Sequence, residues 1–152
     1  EREGHSCVNT READCAIRTL EHFVKHCRPC DDLLIGIVTP YTAQVRCFSR
    51  LLEDERASEE RAWLRRHCKV LTVESFQGNE CDIIVISGVR SVEKPSFSTA
   101  SFANDARRLN VAITRGKLRV WIFGDLRTLE RHGERLLTFQ PGQGSHGLTL
   151  RG

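Results

Sequence analysis

Residues suited to binding a phosphorylated ligand occur in the second half of this 152-residue sequence. Arginines stand at Arg107, Arg108 and Arg115, and a carboxylate stands at Glu80, shortly after the pair Gln77-Gly78. A guanidinium is a planar fork of N–H donors that fits phosphate oxygens, and a carboxylate accepts hydrogen bonds from hydroxyl groups and water. A glycine lets backbone approach a ligand closely. The alternative is that the arginines form a solvated basic face and that Gln77-Gly78 is an ordinary turn.

Polar residues also follow apolar segments that have the composition of strands. Residues 33–39 are almost continuously apolar and rich in branched side chains, which predicts a strand covered on both faces. The strand ends at Pro40, and a helix opens within Tyr41–Gln44. Ligands of open parallel sheets bind at the carboxyl ends of strands, so we expect a ligand near residues 39–44.

Strands and helices that could position these residues alternate along the chain. Asn9 followed by Glu12 predicts a helix over 10–27 that begins with a reciprocal capping box. The other predicted strands lie at 33–39, 68–73, 82–90 and 118–125. The other predicted helices begin at 41 and continue into a charged face at 53–66, cross 104–115, and run through 126–137. The serine-rich stretch 91–103 predicts an exposed connection. This alternation predicts an α/β fold with a mostly parallel sheet flanked by helices.

The length and composition are those of a single globular domain. We place the domain at residues 1–139 and a flexible tail at 140–152. No apolar run approaches the roughly 20 residues that a bilayer span needs. The net charge of +3 is compatible with nucleic-acid binding but is not evidence for it. The first residues have neither a methionine nor a targeting pattern, so we expect the chain to be part of a longer protein.

Seven cysteines are scattered through the first 81 residues, several of them within apolar patterns. This distribution predicts free, buried thiols in a reducing compartment, either cytoplasm or nucleus. Cys27 and Cys30 form a CxxC that could be half of a zinc site or a redox pair. No second CxxC accompanies it, and Pro29 favours a helix end, so we expect no metal site.

Three segments occur in order along the chain: GIVTPYTAQ at 36–44, VESFQGNECDIIVISGVR at 73–90 and RRLNVAITR at 107–115. Together they resemble the motifs of superfamily 1 helicases, most closely those of the Upf1-like group. The likeness spans about residues 5–127 and corresponds to the second, C-terminal, of two RecA-like domains. It implies a RecA-like three-layer fold, related to P-loop NTPases but without a P-loop of its own.

The resemblance implies that ATP and Mg²⁺ bind between two RecA-like domains. It makes Arg115 the arginine finger, which stabilises charge on the transferring γ-phosphate. Glu80 would meet the ribose or the water beside the phosphate, while Gln77 and Gly78 would shape the pocket and relay its state. Arg108 would also lie at the nucleotide, with a structural ion pair as the alternative for it or for Arg107.

A second group of residues would contact single-stranded RNA or DNA, according to the same resemblance. The group comprises Thr39, Pro40, Tyr41, Gln44, Thr72, Ser87 and Arg90. Such contacts touch phosphates and bases without reading sequence, so they do not distinguish RNA from DNA. The 5′ to 3′ polarity of movement is likewise implied by the family alone.

The sequence departs from the family pattern in ways that bear on activity. Glu74 stands where aspartate is usual, and Gly116 stands where alanine is usual, which we expect to loosen the helix end behind Arg115. The chain contains no G-x-x-x-x-G-K-[ST] motif and no Walker B carboxylates, so we expect a preceding domain to supply both. The chain alone should therefore not hydrolyse ATP.

Two other classes of protein remain compatible with the residues. One is a nucleic-acid-binding module with a degenerate, non-hydrolysing RecA-like fold. The other is a thiol or zinc protein that uses Cys27 and Cys30.

Overall fold

The architecture comes from a computed structural model that describes residues 7–54, 58–76, 78–89, 106–124, 138–141 and 148–151. For residues 106–109, 138–141 and 148–151 the structure describes the backbone only. The elements are α1 (Thr10–Cys27), β1 (Ile35–Thr39), α2 (Thr42–Leu52), α3 (Glu59–His67), β2 (Cys68–Thr72), β3 (Cys81–Ser87), α4 (Ala106–Ile113), β4 (Gly116–Phe123), β5 (Thr138–Pro141) and β6 (Leu148–Arg151).

The first four strands form one parallel sheet in the order β2-β1-β3-β4. Ile37 of β1 stands in register with Val70 on one side and Val85 on the other, and Val85 pairs in turn with Trp121 of β4. Every residue of β1 is buried, as the continuous apolar run predicted. The α/β fold with a parallel sheet flanked by helices is therefore confirmed.

Each face of the sheet carries its own hydrophobic core, because successive strand residues point to opposite sides. On one side Ile35, Ile37, Ile83 and Val85 pack against apolar residues of α1, α2 and α3. On the other side the core consists of Val38, Val73, Phe76, Cys81, Ile84, Ile86 and Ala112. Since Ala112 belongs to α4, helices cover both faces of the sheet and the fold has three layers.

The connection from β2 to β3 crosses β1 on the second face of the sheet. Its residue Phe76 is 1% exposed, with its ring packed over Gly36 of β1. A Cβ atom on Gly36 would stand 2.8 Å from Cζ of Phe76 and 2.8 Å from Cδ1 of Ile84. Real atoms do not approach so closely, so the crossing requires glycine at position 36.

The helices differ from the predicted ones at two places. The charged stretch 53–66 is not one helix face, because α2 ends at Leu52 and α3 starts afresh at Glu59. Ser58 caps α3 by accepting the N–H of Arg61 at 3.3 Å, a local signal that the charge pattern concealed. The helix predicted across 104–115 ends at Ile113, so Arg115 lies in the turn that follows it.

The end of α1 agrees with the predicted helix stop at the CxxC. The helix ends at Cys27, and Arg28 takes the left-handed conformation with φ 44°. All seven cysteines are free, but the expectation that they are buried was wrong for most of them. Cys81 is buried, three are partly exposed, and Cys15, Cys27 and Cys30 are exposed.

The C-terminal region contains an antiparallel pair that the sequence did not predict. β5 pairs with β6, with Phe139 opposite Leu150. The division into a domain at 1–139 and a tail at 140–152 stays a prediction. The predicted connection at 91–103 and the helix at 126–137 lie outside the described residues.

Two kinds of feature are absent from the described ranges of the chain. In that part of the chain, no helix combines the length and apolar character that a membrane span requires. Nor do three or more histidine, cysteine or acidic side chains gather there as a metal site would require.

Candidate functional site

The direction of the strands sorts the sequence-predicted site residues into two groups. Because the four strands are parallel, their carboxyl ends share one edge of the sheet and their amino ends share the opposite edge. Thr39, Thr72 and Ser87 end β1, β2 and β3, whereas Gly78–Glu80 precede β3 and Arg115 precedes β4. The seven residues of β3 span about 20 Å between these edges.

At the amino edge, Glu80 and Arg115 lie side by side along neighbouring strands. The N–H of Cys81, the residue after Glu80, donates to the carbonyl of Arg115 at 3.1 Å. The Glu80 carboxylate lies 3.9 Å from the Lys117 ammonium, and both side chains are more than half exposed, at 59% and 56%. An ion pair this long and exposed is weak, so the Glu80 carboxylate is accessible to a ligand.

Arg115 has a hydrogen-bonded backbone and a buried side-chain donor that is unpaired among the described residues. Its N–H donates to the carbonyl of Ala112 at 3.3 Å, which continues the last turn of α4. The side chain is partly buried, and its Nε is buried without a hydrogen-bond partner among the described residues. Buried donors are nearly always paired in folded proteins, so this Nε is an exception among the described residues.

The turn before Glu80 depends on a glycine. Gly78 has φ +87°, a left-handed conformation that other residues adopt at a cost in energy. The space where its Cβ would lie is open, so conformation and not crowding demands glycine there. Asn79 closes the turn by donating its N–H to the carbonyl of Phe76 at 3.0 Å. Gln77, which the sequence assigned to the same pocket, lies outside the described residues.

The thiol beside Glu80 does not add charge to the amino edge at neutral pH. Burial raises the pKa of Cys81 above its usual value, an effect that Lys69 partly opposes. Burial, together with the nearby Cys81, raises the pKa of Cys68 to about 12. Both thiols therefore stay protonated and add no charge beside the exposed carboxylate of Glu80.

The carboxyl edge is built on a buried polar network that joins α1, α2 and β3. Gln44 is 0% exposed; its Oε1 accepts the N–H of Asn9 at 2.8 Å. Its Nε2 donates to the carbonyl of Asn9 and to the hydroxyl of Ser87, each at 3.1 Å. Ser87, also 0% exposed, donates to Oε1 of Glu12 at 2.6 Å. Gln44 and Ser87 are thus satisfied internally, and their assignment as nucleic-acid contacts stays a prediction.

The helix cap at Asn9 is confirmed, but the predicted reciprocal half of the capping box is wrong. The Asn9 side chain accepts the N–H of Glu12 at 3.0 Å. The Glu12 carboxylate does not return to Asn9, because the Asn9 N–H already donates to Gln44. Its Oε1 accepts instead from Ser87 and from the N–H of Val89 at 3.0 Å. Sequence spacing contained no signal for partners 75 and 77 residues away.

Thr39, Pro40 and Tyr41 come together where β1 leads into α2. Thr39 is 0% exposed, and its Oγ1 has no hydrogen-bond partner within the described part of the chain. Pro40 and Tyr41 are partly exposed, and the carbonyl of Tyr41 accepts the N–H of Gln44 at 3.0 Å. The polar start of α2 is therefore held against the buried network.

The other predicted contacts are placed less completely. The Thr72 hydroxyl donates to Oγ of Ser75 at 3.0 Å and so belongs to the turn after β2. Arg107 and Arg108 lie on α4, and the structure describes only the backbone of these two residues. Arg90 lies outside the described residues.

The two departures from the family pattern have structural contexts. Glu74 is exposed in the turn after β2. Gly116 starts β4 and does not belong to the preceding helix, so the expected loosening of that helix end was wrong. A Cβ on Gly116 would stand 2.9 Å from the carbonyl oxygen of Arg119 and 3.0 Å from Cγ2 of Val120. Glycine is therefore favoured at position 116, because these neighbouring atoms leave little room for a side chain.

Comparison with known proteins identified one matching family model and several relatives that are named as helicases. The AAA_12 family model, described as an AAA domain, matches residues 1–127. The chain is 39% identical over 132 residues to the ATP-dependent helicase upf1 of Schizosaccharomyces pombe, covering 85% of this chain and 13% of that protein. It is 35% identical over 131 residues to an ATP-dependent helicase of Methanocaldococcus jannaschii, covering 86% of this chain and 17% of that one.

A third relative is the DNA polymerase alpha-associated DNA helicase A of Saccharomyces cerevisiae. It is 37% identical over 103 residues, which are 68% of this chain and 14% of that protein. The chain thus spans less than a fifth of the length of each of these three relatives.

Proposed function

The chain belongs to the Upf1-like superfamily 1 helicases, and from this we propose that it is their second RecA-like domain, the C-terminal motor half of an ATP-dependent helicase. In the intact protein it supplies the arginine finger and part of the track for single-stranded RNA or DNA. The relatives named as ATP-dependent helicases support this proposal. A preceding domain supplies the phosphate cradle and the ligands of Mg²⁺.

One observation carries the proposal beyond family likeness. Within the described residues, two buried side-chain polar atoms lack a hydrogen-bond partner, namely Thr39 Oγ1 and Arg115 Nε. One belongs to the group assigned to nucleic acid and the other to the group assigned to the nucleotide. Leaving such a group unpaired costs about 1–3 kcal/mol, which supports a binding role for the residue at each edge of the sheet.

At the amino edge, the residues fit a nucleotide whose phosphates another domain holds. Arg115 donates to the γ-phosphate and stabilises the charge that develops on its oxygens during transfer. Glu80 accepts from a ribose hydroxyl or orders water beside the phosphate. Gly78 keeps the intervening backbone open, and Gln77 and Arg108 complete the pocket. Backbone hydrogen bonds to Ala112 and Cys81 hold the Cα of Arg115 at this edge, and the side chain orders on the phosphate when the two domains close.

At the carboxyl edge, Thr39, Pro40 and Tyr41 contact the single strand, with Thr72 and Arg90 at its phosphates. The Tyr41 ring provides a face on which a base stacks, a contact that tolerates any base. Gln44 and Ser87 act behind this surface, because both are 0% exposed and hydrogen-bonded to α1. β3 connects this edge to the nucleotide edge in one unbroken segment, which couples hydrolysis to the grip on the strand.

The isolated 152-residue chain is expected to show no ATP hydrolysis above background, whereas the intact protein hydrolyses ATP and is stimulated by single-stranded nucleic acid. The chain lacks a Walker lysine and Walker B carboxylates, so it cannot hold the phosphates and magnesium by itself. A phosphate-release assay on both proteins measures this difference. Strand binding by the intact protein without hydrolysis would favour the non-hydrolysing binding module.

Tyr41→Ala is expected to weaken binding of the intact protein to a single strand by about tenfold, because one base–aromatic stack contributes about 1–3 kcal/mol. Tyr41→Phe keeps the ring and should bind within about twofold of wild type. Fluorescence anisotropy with a labelled oligonucleotide measures both. Wild-type affinity in the alanine variant would remove Tyr41 from the strand contacts. Parallel titrations with RNA and DNA of the same sequence establish which is preferred.

We also place the intact protein in the cytoplasm or nucleus, where its substrates occur.

A further inference from the structure

The chain leaves β3 through a residue in an unusual backbone conformation. Val89 has φ 67°, in the left-handed region that a β-branched side chain rarely adopts. Its side chain is 5% exposed, so the residue is fixed inside the protein. Strained residues of this kind persist where the surroundings hold them, and they occur often at functional sites.

The first turn of α1 holds both polar backbone groups of Val89. Its N–H donates to Oε1 of Glu12 at 3.0 Å, and its carbonyl accepts from Nδ2 of Asn9 at 3.2 Å. The preceding residue is fixed from the other side, since the Gly88 N–H donates to the carbonyl of Phe123 at 2.9 Å. The left-handed conformation is thus held by three hydrogen bonds, two with the start of α1 and one with β4.

Glu12 contributes more to this arrangement than any other single group. The same Oε1 atom accepts from Ser87 Oγ at 2.6 Å and from the Val89 N–H, so one carboxylate oxygen connects the last residue of β3 to the turn after it. A charged acceptor makes stronger hydrogen bonds than a neutral one. Since Asn9 caps α1 without help from Glu12, the carboxylate is free of the capping role that its spacing suggested.

We propose that Glu12, assisted by Asn9, is a positioning residue for nucleic-acid binding: it holds Val89 left-handed and so fixes the carboxyl end of β3 beside the β1–α2 turn that we propose contacts the single strand. This inference rests on the proposed function. It assigns a role to α1, an element outside the two groups of predicted contacts. Neither Glu12 nor Asn9 touches the strand; both act through the backbone of Val89.

The test compares two glutamate-to-alanine changes on the same helix of the intact protein. Glu12→Ala removes the acceptor of Ser87 and Val89. Glu21→Ala removes a partly buried pair with Arg61, joined at 2.9 Å and 3.1 Å, so it also disturbs α1 but lies away from the end of β3. Thermal unfolding measures how much each change destabilises the protein, and anisotropy measures binding to a labelled single strand.

We expect Glu12→Ala to weaken strand binding by about tenfold, because a strained backbone conformation of the kind seen at Val89 loses its support. Glu21→Ala should change the affinity less than twofold. The KM for ATP should stay within about twofold in both, because the nucleotide group lies at the opposite edge of the sheet, about 20 Å away. Amide exchange in residues 87–89 should become faster in Glu12→Ala and stay unchanged in Glu21→Ala.

Two conservative variants keep the proposal testable where an alanine variant unfolds. Glu12→Gln retains an oxygen acceptor and should bind the strand within about twofold of wild type. Asn9→Asp keeps an N-cap of equal quality but replaces the donor to the Val89 carbonyl by an anion, so it should weaken strand binding. This pair separates the hold on Val89 from the stability of α1.

Each result has a definite consequence. Equal strand affinities in Glu12→Ala and Glu21→Ala, or faster exchange at 87–89 without loss of affinity, would overturn the positioning role and leave the proposed function standing. Failure of the wild-type protein itself to bind a single strand would overturn the proposed function and this inference together. Strand binding lost in Glu12→Ala and Asn9→Asp, and kept in Glu12→Gln, supports the proposal.

Discussion

Arg115→Ala is expected to lower kcat for ATP hydrolysis by the intact protein about a thousandfold or more, the range that arginine fingers supply. The guanidinium acts on charge that develops during transfer, so its loss raises the barrier to the chemical step. In the proposed mechanism the phosphate cradle of the other domain carries most of the binding of ATP, so the affinity for ATP should weaken only a few-fold. Steady-state phosphate release gives kcat, and equilibrium binding of a fluorescent ATP analogue gives the affinity.

Arg119→Ala is the matched control for Arg115→Ala. It removes the same charge four residues further along, from an exposed side chain of β4, and should leave kcat within about twofold of wild type. Arg115→Lys keeps the charge without the planar fork, so it should recover only part of the lost rate. Full turnover in Arg115→Ala would rule out the finger assignment, whatever the control shows.

Phe76→Ala is expected to lower the free energy of unfolding of the 152-residue chain by about 3–5 kcal/mol, the cost typical of removing a buried phenylalanine. The ring is 1% exposed and fills the space above Gly36 in the second core. The same change at the partly buried Phe23, whose ring meets Trp121 edge-on at 5.4 Å, should cost clearly less. Urea denaturation followed by fluorescence of Trp63 and Trp121 measures both.

A double-mutant cycle tests the reason for this cost. Gly36→Ala alone should destabilise the chain by about 1–3 kcal/mol, because the added methyl group meets the Phe76 ring. In the Phe76→Ala background that ring is absent and the methyl group fills part of the cavity, so the cost of Gly36→Ala should fall. Additive costs would show that Phe76 and Gly36 do not constrain each other as the packing indicates.

The central elements of the fold could be predicted from sequence because their signals are local. The apolar run ending at Thr39 determines a buried strand, and Asn9 marks the start of α1 through its own side chain. The break between α2 and α3 was missed because the charged residues around it have the composition of a helix surface. The pair β5 and β6 was missed because the glycine-rich stretch between them favoured a flexible tail.

The candidate site was predictable as a set of residues and not as a geometry. Motif resemblance selected Glu80, Arg115 and Thr39, but their separation onto two edges follows from strand direction and order. The resemblance assigned Gln44 and Ser87 to nucleic acid, which stays a prediction, but it contained no signal for their hydrogen bonds to Asn9 and Glu12 at the start of α1. The role of Glu12 depends on partners distant in sequence, so only the folded arrangement could suggest it.

The uninterrupted course of β3 has a mechanical meaning. In the proposed helicase, a pull on the bound nucleic acid acts along the axis of β3, which is hydrogen-bonded to β1 on one side and to β4 on the other. Such a pull loads the flanking hydrogen bonds in shear, all at once, instead of peeling them apart one after another. A helicase domain of this design would carry tension through its sheet.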